Sequence, residues 1–349
     1  MKNIVNIGLM MASAFALCSL CACQKKTEAP VEAPAVEPSA APAEEAPAAV
    51  TPGKGAVVTE GTLSFSGAWA LYPMAVRWGE EFQKLHPDVR FDISAGGAGK
   101  GMTDVLAGAI DVGMVSRDVA QAEAEKGALA FAVTKDAVVP VISANNPQLA
   151  ALLKRGLTRE AAKSVWISGA AKTWDEITGD AMEAPLHVYT RSDACGAAET
   201  WAKYLDGKQE DLKGIGVYGD PGIGEAVRKD PLGAGYNNVN YAYDAKTQKP
   251  VDGLVVLPLD VDNSGSIEPA EDFYKTRKEL TDAIADGRYP APPARDLYFV
   301  TLGTPKTELL KSFLEWVLTD GQQFVPEAGY INLPQEVLSR EINKLKGNE

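Results

Sequence analysis

Val89-Arg-Phe-Asp-Ile-Ser-Ala-Gly-Gly-Ala-Gly-Lys-Gly101 decides how the chain is read. The run Val89–Ile93 is strand-like, and it gives way to a loop, Ser94 to Gly101, made almost entirely of small residues. The same grammar returns at Leu186–Thr190, which leads into Arg191-Ser-Asp-Ala-Cys-Gly-Ala197. Each loop lies between an expected strand and an expected helix. The first amides of a helix have no partner within it, and together with the helix dipole they form an anion site. Arg191 adds a forked, permanent positive charge. A nucleotide phosphate loop is excluded by spacing, because that motif needs glycine at position 94 and serine or threonine at 101, where the chain has Ser94 and Gly101.

Outward from these loops the pattern alternates strand and helix. Leu63–Ser66 reads as a strand and Leu71–Leu85 as a helix, with Leu71, Met74, Ala75, Trp78 and Phe82 on one face. His86-Pro87 ends it. Met102–Ala109 is expected to be a short helix and Asp111–Val115 a strand. This is βαβ rhythm, which implies an α/β fold with a mainly parallel sheet and ligands at the carboxyl ends of its strands. A second unit begins with the buried strand Ala137–Ser143 and continues through a helix at Thr158–Ile167, the strand before Arg191 and a helix at Ala197–Leu205. Glycine-rich Gly214–Tyr243 reads as loops around short elements, and Gly253–Leu259 as a strand leading back to the first unit. A strand at Leu297–Thr301 and an amphipathic helix at Lys306–Leu318 follow, with fraying expected over 344–349. Trp78, Trp166, Trp201 and Trp316 stand at core-like spacing.

The chain has 349 residues, 46% of them hydrophobic, enough for two globular units. Its net charge of −13 argues against nucleic-acid binding through a basic surface, but a buried anion site works through local dipoles and is unaffected. Residues 1–22 carry a short basic start and an interrupted apolar run, the pattern of a signal peptide. Leu20-Cys-Ala-Cys23 then fits a lipidation motif with Cys23 as the modified first residue, so the protein is expected outside the cytoplasm, anchored to a membrane by lipid. An ordinary signal peptide is the alternative. The Ala/Pro/Glu-rich stretch over 23–54 cannot bury a core and reads as a tether. Of four cysteines only Cys195 would remain free in the folded body, so no internal disulfide is available.

Taken in order, Ser66-Gly-Ala-Trp-Ala-Leu-Tyr-Pro73, the glycine loop, Asp111-Val-Gly-Met-Val-Ser-Arg117, Arg191-x-Asp-x-Cys-Gly196 and Gly233-Ala-Gly-Tyr236 resemble the phosphate-binding proteins of ABC transporters, as does Val165 to Glu176. The resemblance spans about 59 to 334. It implies a two-lobe periplasmic-binding-protein type II fold with a hinge between lobes, lobe 1 being 55–137 with 257–349 and lobe 2 being 138–256. It implies a monomeric solute-binding lipoprotein that captures phosphate or a related tetrahedral oxyanion for an ABC permease, with no catalysis. The implied anion contacts fall on Ala70, Leu71, Ala98, Gly99, Ser116, Arg117, Arg191, Asp193, Cys195, Gly196 and Ala197, with amides of 68–72, 97–101 and 195–197 holding oxygens. Asp193 is expected to orient Arg191.

This chain departs from the family where hydroxyls are usual: Ala68-Trp-Ala70 in the first loop, Ala98 and Gly99 in the glycine loop, Cys195 for serine and Ala197 for threonine. A hydroxyl bond lost from a buried anion costs about 1–3 kcal/mol unless replaced; Ser116, Arg117, Lys100 and the Cys195 thiol are the candidate replacements. Those losses keep open a second reading, a sensor or adaptor lipoprotein that kept the fold without transport. The alternative for Arg191 is a salt bridge to Asp193 alone, and for Arg117 one to Asp118 or Asp111. Whether Asp118 faces the ligand, and whether Trp69 walls the cleft or caps the core, stays open. Cys195 lacks a base for nucleophilic chemistry, since His86 and His187 are both placed away from it.

A separate motif, Asp260-Val-Asp-Asn-Ser-Gly-Ser-Ile-Glu-Pro-Ala-Glu271, matches the twelve-residue calcium loop. Asp260, Asp262 and Ser264 hold positions one, three and five, Ser266 offers its carbonyl, Glu268 acts through water and Glu271 is the bidentate closer. A structural Ca2+ is the expectation, with a solvated acidic turn as the alternative. A strand-like Leu254–Leu259 replaces the usual entering helix.

Overall fold

The computed structural model describes residues 60–347. The signal segment, Cys23 and the tether lie outside the described residues. Eleven strands occur among the described residues: β1 (Gly61–Gly67), β2 (Val89–Ala95), β3 (Val112–Val115), β4 (Ala128–Ser143), β5 (Leu157–Thr158), β6 (His187–Arg191), β7 (Ile215–Val217), β8 (Gly233–Asn238), β9 (Leu254–Val256), β10 (Leu259–Asp260) and β11 (Ala294–Leu302). Nine form one sheet in the order β2-β1-β3-β11-β4-β8-β6-β7, with β9 also on β4. β1, β2 and β3 pair in parallel, as do β6 with β7 and β8. β11 and β8 run antiparallel to β4.

β4 is sixteen residues long and belongs to both lobes. Its first part, Ala128 to Ala137, pairs with β11, and from Val138 its partner is β8. Nearly all of it is buried, because helices cover both faces. The division shows in the two hydrophobic cores. One gathers Leu63 to Val133 with Leu297 to Leu345, around Trp78, Phe82, Phe65, Phe299 and Phe313. The other gathers Ala137 to Ala294, around Trp166, Trp201 and Tyr236.

Lobe 2 is therefore larger than 138–256. The chain does not return at 257: Leu257, Leu259, Phe273, Tyr274, Leu280, Ile284 and Tyr289 are all buried in the second core. Phe273 stacks on Tyr274, and Tyr289 lies edge-on to both. Instead of crossing back, Leu259-Asp260 pairs with β5. The return is made by β11.

Three other expectations are corrected. Gly214–Tyr243 is regular structure: β7, the helix Gly219–Lys229, β8 and the short helix Val239–Ala242. Glycines interrupt that helix's apolar stripe, leaving Ile223 and Val227 as its buried hydrophobic side chains. The helix after the glycine loop starts at Ala98, four residues ahead of the expected Met102, so half of that loop is a first helical turn. The C-terminal helix Gln335–Leu345 docks Leu338 and Leu345 and runs past the expected fraying point.

Candidate anion site

The site forms where the two lobes meet. From lobe 1 come the loop after β1, the first turn of the helix Ala98–Leu106 and Ser116, just past β3. From lobe 2 come the loop after β6 and the first turn of the helix Gly196–Tyr204. The lobe 1 pieces are held backbone to backbone: the Gly96 and Gly97 amides donate to the Gly67 carbonyl, and the Ala68 amide donates to Met114. Gly97 has φ +92°, and a Cβ there would meet the Ala194 carbonyl and an Asp193 carboxylate oxygen of the other lobe at 2.8 and 2.9 Å. The Gly99 amide donates across the cleft to the Ala194 carbonyl at 3.1 Å. Opposite, Gly196 lies so close to Ser116 that a Cβ would collide with its carbonyl and hydroxyl oxygens. Two helix N-termini from different lobes thus face each other across a few ångströms.

Neighbouring atoms take some first-turn donors. The Ala198 amide donates to Cys195 Sγ at 3.5 Å, so the thiol caps its own helix. Ala98, Gly196 and Ala197, at the first and second helical positions, are the donors without an acceptor among the described residues. Tyr330 pins the first loop by donating from its hydroxyl to the Ala70 carbonyl at 2.7 Å, while Leu71 caps the helix Tyr72–Leu85.

Arg191 lies beneath. Nε and Nη2 donate to Asp193 at 2.8 and 2.6 Å, and Nη1 donates to Asp220 at 2.6 Å. The three side chains are 1%, 6% and 0% exposed. A guanidinium has five N–H donors, so two remain for an anion. Burial acts to lower the Arg191 pKa, but Asp220 and then Asp193 more than reverse it, and the group is held above its ordinary value. Asp193 also accepts from the Gly219 amide, where φ is +72°. Asp193 therefore orients Arg191, as expected. Asp220 was not anticipated: in Gly219-Asp-Pro-Gly222 it reads as a turn residue, yet it opens a helix and its other oxygen is locked by the Asn238 amide and side chain.

Burial pushes the Cys195 thiol up to about 12, which keeps it neutral at pH 7. Trp69 crosses to lobe 2, edge-on to Tyr218 and Tyr241 at 6.1 and 6.3 Å, and walls the cleft. Tyr241 donates its hydroxyl to the Trp69 carbonyl.

Arg117 departs from expectation. Its guanidinium is committed to carboxylates: Nη1 and Nη2 donate to Glu123 at 2.8 and 2.7 Å, and Nε lies 3.1 Å from Glu199 of the facing lobe. Asp118 points to solvent and pairs with Lys203 at 3.0 Å. Lys100 is tied to Asp104. Of the proposed hydroxyl substitutes, buried Ser116 is the one that stands between the loops.

A family model described as the PBP superfamily domain matches residues 41–321. The chain belongs to the PBP superfamily. Among relatives of this PBP-superfamily chain, the phosphate-binding protein PstS of Bacillus subtilis is 28% identical over 295 residues, covering 83% of this chain and 87% of the relative. PstS of Methanocaldococcus jannaschii is 25% identical over 321 residues, covering 76% and 81%. A substrate-binding protein of Clostridium perfringens solved with bound phosphate superposes with a TM-score of 0.64 at 22% identity, covering 78% of this chain and all of that one. An ABC-type phosphate transport receptor of Vibrio cholerae gives 0.56 at 17%, covering 78% and 100%. These structural likenesses establish the periplasmic-binding fold for the described body.

The calcium-loop residues also converge. Asp260, Asp262 and Glu271 each bring a carboxylate oxygen within 4.8 Å of the others, and Glu268 is not among them. Gly265 makes the turn at φ +82°. Asp260 accepts from the Ser264 and Gly265 amides, and Ser264 donates its hydroxyl to the Ser266 carbonyl. Ile267 packs on Gly156, and its amide donates to Lys154.

Proposed function

We propose that this protein captures phosphate, or a closely related tetrahedral oxyanion, and delivers it to an ABC importer. The observation that carries this reading is the meeting of two helix N-termini from opposite lobes above a buried arginine. Donors from both lobes favour the closed arrangement when an anion bridges them. The relatives are phosphate-binding proteins, which favours transport over chemistry. In this reading the protein works outside the cytoplasm as a monomer held by lipid on Cys23, which the apolar start and the Leu20–Cys23 motif support; among the described residues no helix is long and apolar enough to cross a membrane.

Calorimetric titration with phosphate tests the reading on the wild type and Arg191→Lys. Lysine keeps a cation between Asp193 and Asp220, whereas alanine would leave two buried carboxylates without one. Tight wild-type binding weakened about thirtyfold or more is expected from loss of the fork. Absence of heat and of thermal shift with phosphate and arsenate alike would favour the adaptor reading.

We further propose that the loop 260–271 holds a structural calcium ion. The donors are hard oxygens at the appropriate spacing, and the Asp260, Asp262 and Glu271 group fits such an ion.

A further inference from the structure

Among the described residues two arginines are buried, Arg191 and Arg277, at 5% and 3% exposure. Arg191 faces two carboxylates. Arg277 has no carboxylate partner among the described residues. It opens the helix Arg277–Ala285 of lobe 2, and its guanidinium crosses to the 326–332 turn of lobe 1. Nε donates to the Gln248 side-chain oxygen at 3.2 Å and Nη1 to the Asn240 side-chain oxygen at 2.8 Å and the Ala328 carbonyl at 3.3 Å. Nη2 donates to the Glu327 carbonyl at 3.2 Å. These acceptors are all neutral. A guanidinium has five N–H donors, so one, on Nη2, has no acceptor among the described residues. Gly329, at φ +84°, makes room for the group: a Cβ there would fall 2.4 Å from the guanidinium carbon.

The carboxylates nearby are engaged elsewhere. Asp282 pairs with Lys278, Glu327 with Arg77, Glu279 caps its own helix, and Asp244 accepts from the Lys246 and Thr247 amides. Burial therefore lowers the Arg277 pKa, the reverse of the outcome at Arg191, although an arginine stays charged. Buried charges in proteins are normally paired. One that meets only neutral dipoles keeps a strong attraction for an anion.

Arg277 lines a cavity of about 520 Å³ between its helix and the 326–332 turn. That volume suits a small organic molecule. Ala285, Pro326 and Ile331 give the cavity apolar wall, and Lys278 lines it too. The Lys278–Asp282 pair is exposed, at 76% and 56%, so turning the ammonium towards a ligand costs little. One free guanidinium N–H and one movable ammonium match the two oxygens of a carboxylate. A phosphate, with more oxygens to satisfy, would be short of donors there.

We propose that this cavity at the lobe border binds a small organic carboxylate, with Arg277 holding the charge and the apolar wall the carbon skeleton. None of the anion-site residues lines it, and the inference does not depend on the phosphate-binding reading. The walls come from both lobes, so an occupant would favour the arrangement of the lobes seen here.

The test is the melting temperature of the protein with sodium butyrate and with sodium benzoate, against sodium chloride at equal concentration. For a Kd of about 1 mM, about 10 mM of the acid should raise melting by about 2–3 °C. Arg277→Gln should lose that shift, and Lys278→Ala, at an exposed position, should reduce it. Calorimetric titration should give one carboxylate per chain, not displaced by inorganic phosphate. No shift beyond chloride with either acid overturns the inference, as does an undiminished shift in Lys278→Ala. Displacement by phosphate also overturns it, since the acids would then sit in the anion cleft. Should Arg277→Gln fail to fold, Lys278→Ala still decides the matter.

Discussion

At the scale of single residues, the absence of a side chain matters as much as its presence. Gly196 has no positive φ and would accept any residue as a helix opener; what requires glycine is Ser116, pressed against it from the other lobe. Gly196→Ala should leave the lobes folded and the anion-free melting temperature within about 2 °C of wild type. It should hold the lobes apart, so that the upward melting shift caused by phosphate is lost. A variant that melts normally and still shifts fully with phosphate would contradict this. Arg117 shows the limit of reading charge from spacing. A cation just after the strand that borders the site looks like an anion ligand, yet its guanidinium turns to Glu123, six residues on, and to Glu199, distant in sequence. Asp220 fails to stand out for the converse reason, since its importance lies in a contact 29 residues away.

At the scale of elements, the helix N-termini were legible because small residues after a strand have few other uses, and both loops lie between a strand and a helix as expected. Their boundaries were not. Glycines in Ala98-Gly-Lys-Gly101 mark close approach: a Cβ at Gly101 would meet the Ser66 carbonyl and Gly67 at 2.6 and 2.8 Å. They therefore do not signal loop, and the helix starts early. The same misreading turned Gly219–Lys229 into loop. The twelve-residue acidic loop is the opposite case, recognisable by spacing alone, and its three carboxylates do converge. It is fastened to lobe 2 through β10, Lys154 and Gly156. Calcium at about a hundredfold over its Kd should add about 2–3 kcal/mol to stability. Chelation should therefore lower the melting temperature by several degrees, and Glu271→Gln should abolish that sensitivity. Identical melting with calcium and with chelator in the wild type would leave a solvated acidic turn.

At the scale of the molecule, the two lobes were visible as two runs of βαβ pattern, but their border was not, because nothing local in Leu257–Tyr289 says which core it joins. The border carries its own ion pair. Arg295 on β11 faces Asp136 on β4 at 3.1 Å, and also donates to the Gly196 carbonyl, Thr200 and Asn238 of lobe 2. Burial raises the Asp136 carboxyl to about 6 against the opposing pull of Arg295. The folded state then binds the proton more tightly than the unfolded chain, so this group's contribution favours folding at low pH and is lost as pH rises from about 4 to about 6. Relative to wild type, Asp136→Asn should gain up to about 3 kcal/mol across that window, measurable by urea unfolding of both proteins. A constant difference would remove Asp136 from the account. The insertion of β11 between β3 and β4 also sets an order of events. The sheet of the first lobe lacks a middle strand until residue 302 has emerged, although its outer strands are complete by residue 143. Synthesised from its N-terminus, the chain must carry an unfinished lobe through most of its length, and it can gain its native shape only near the end of translation. Such delay would suit export before folding, the route that the proposed signal segment implies.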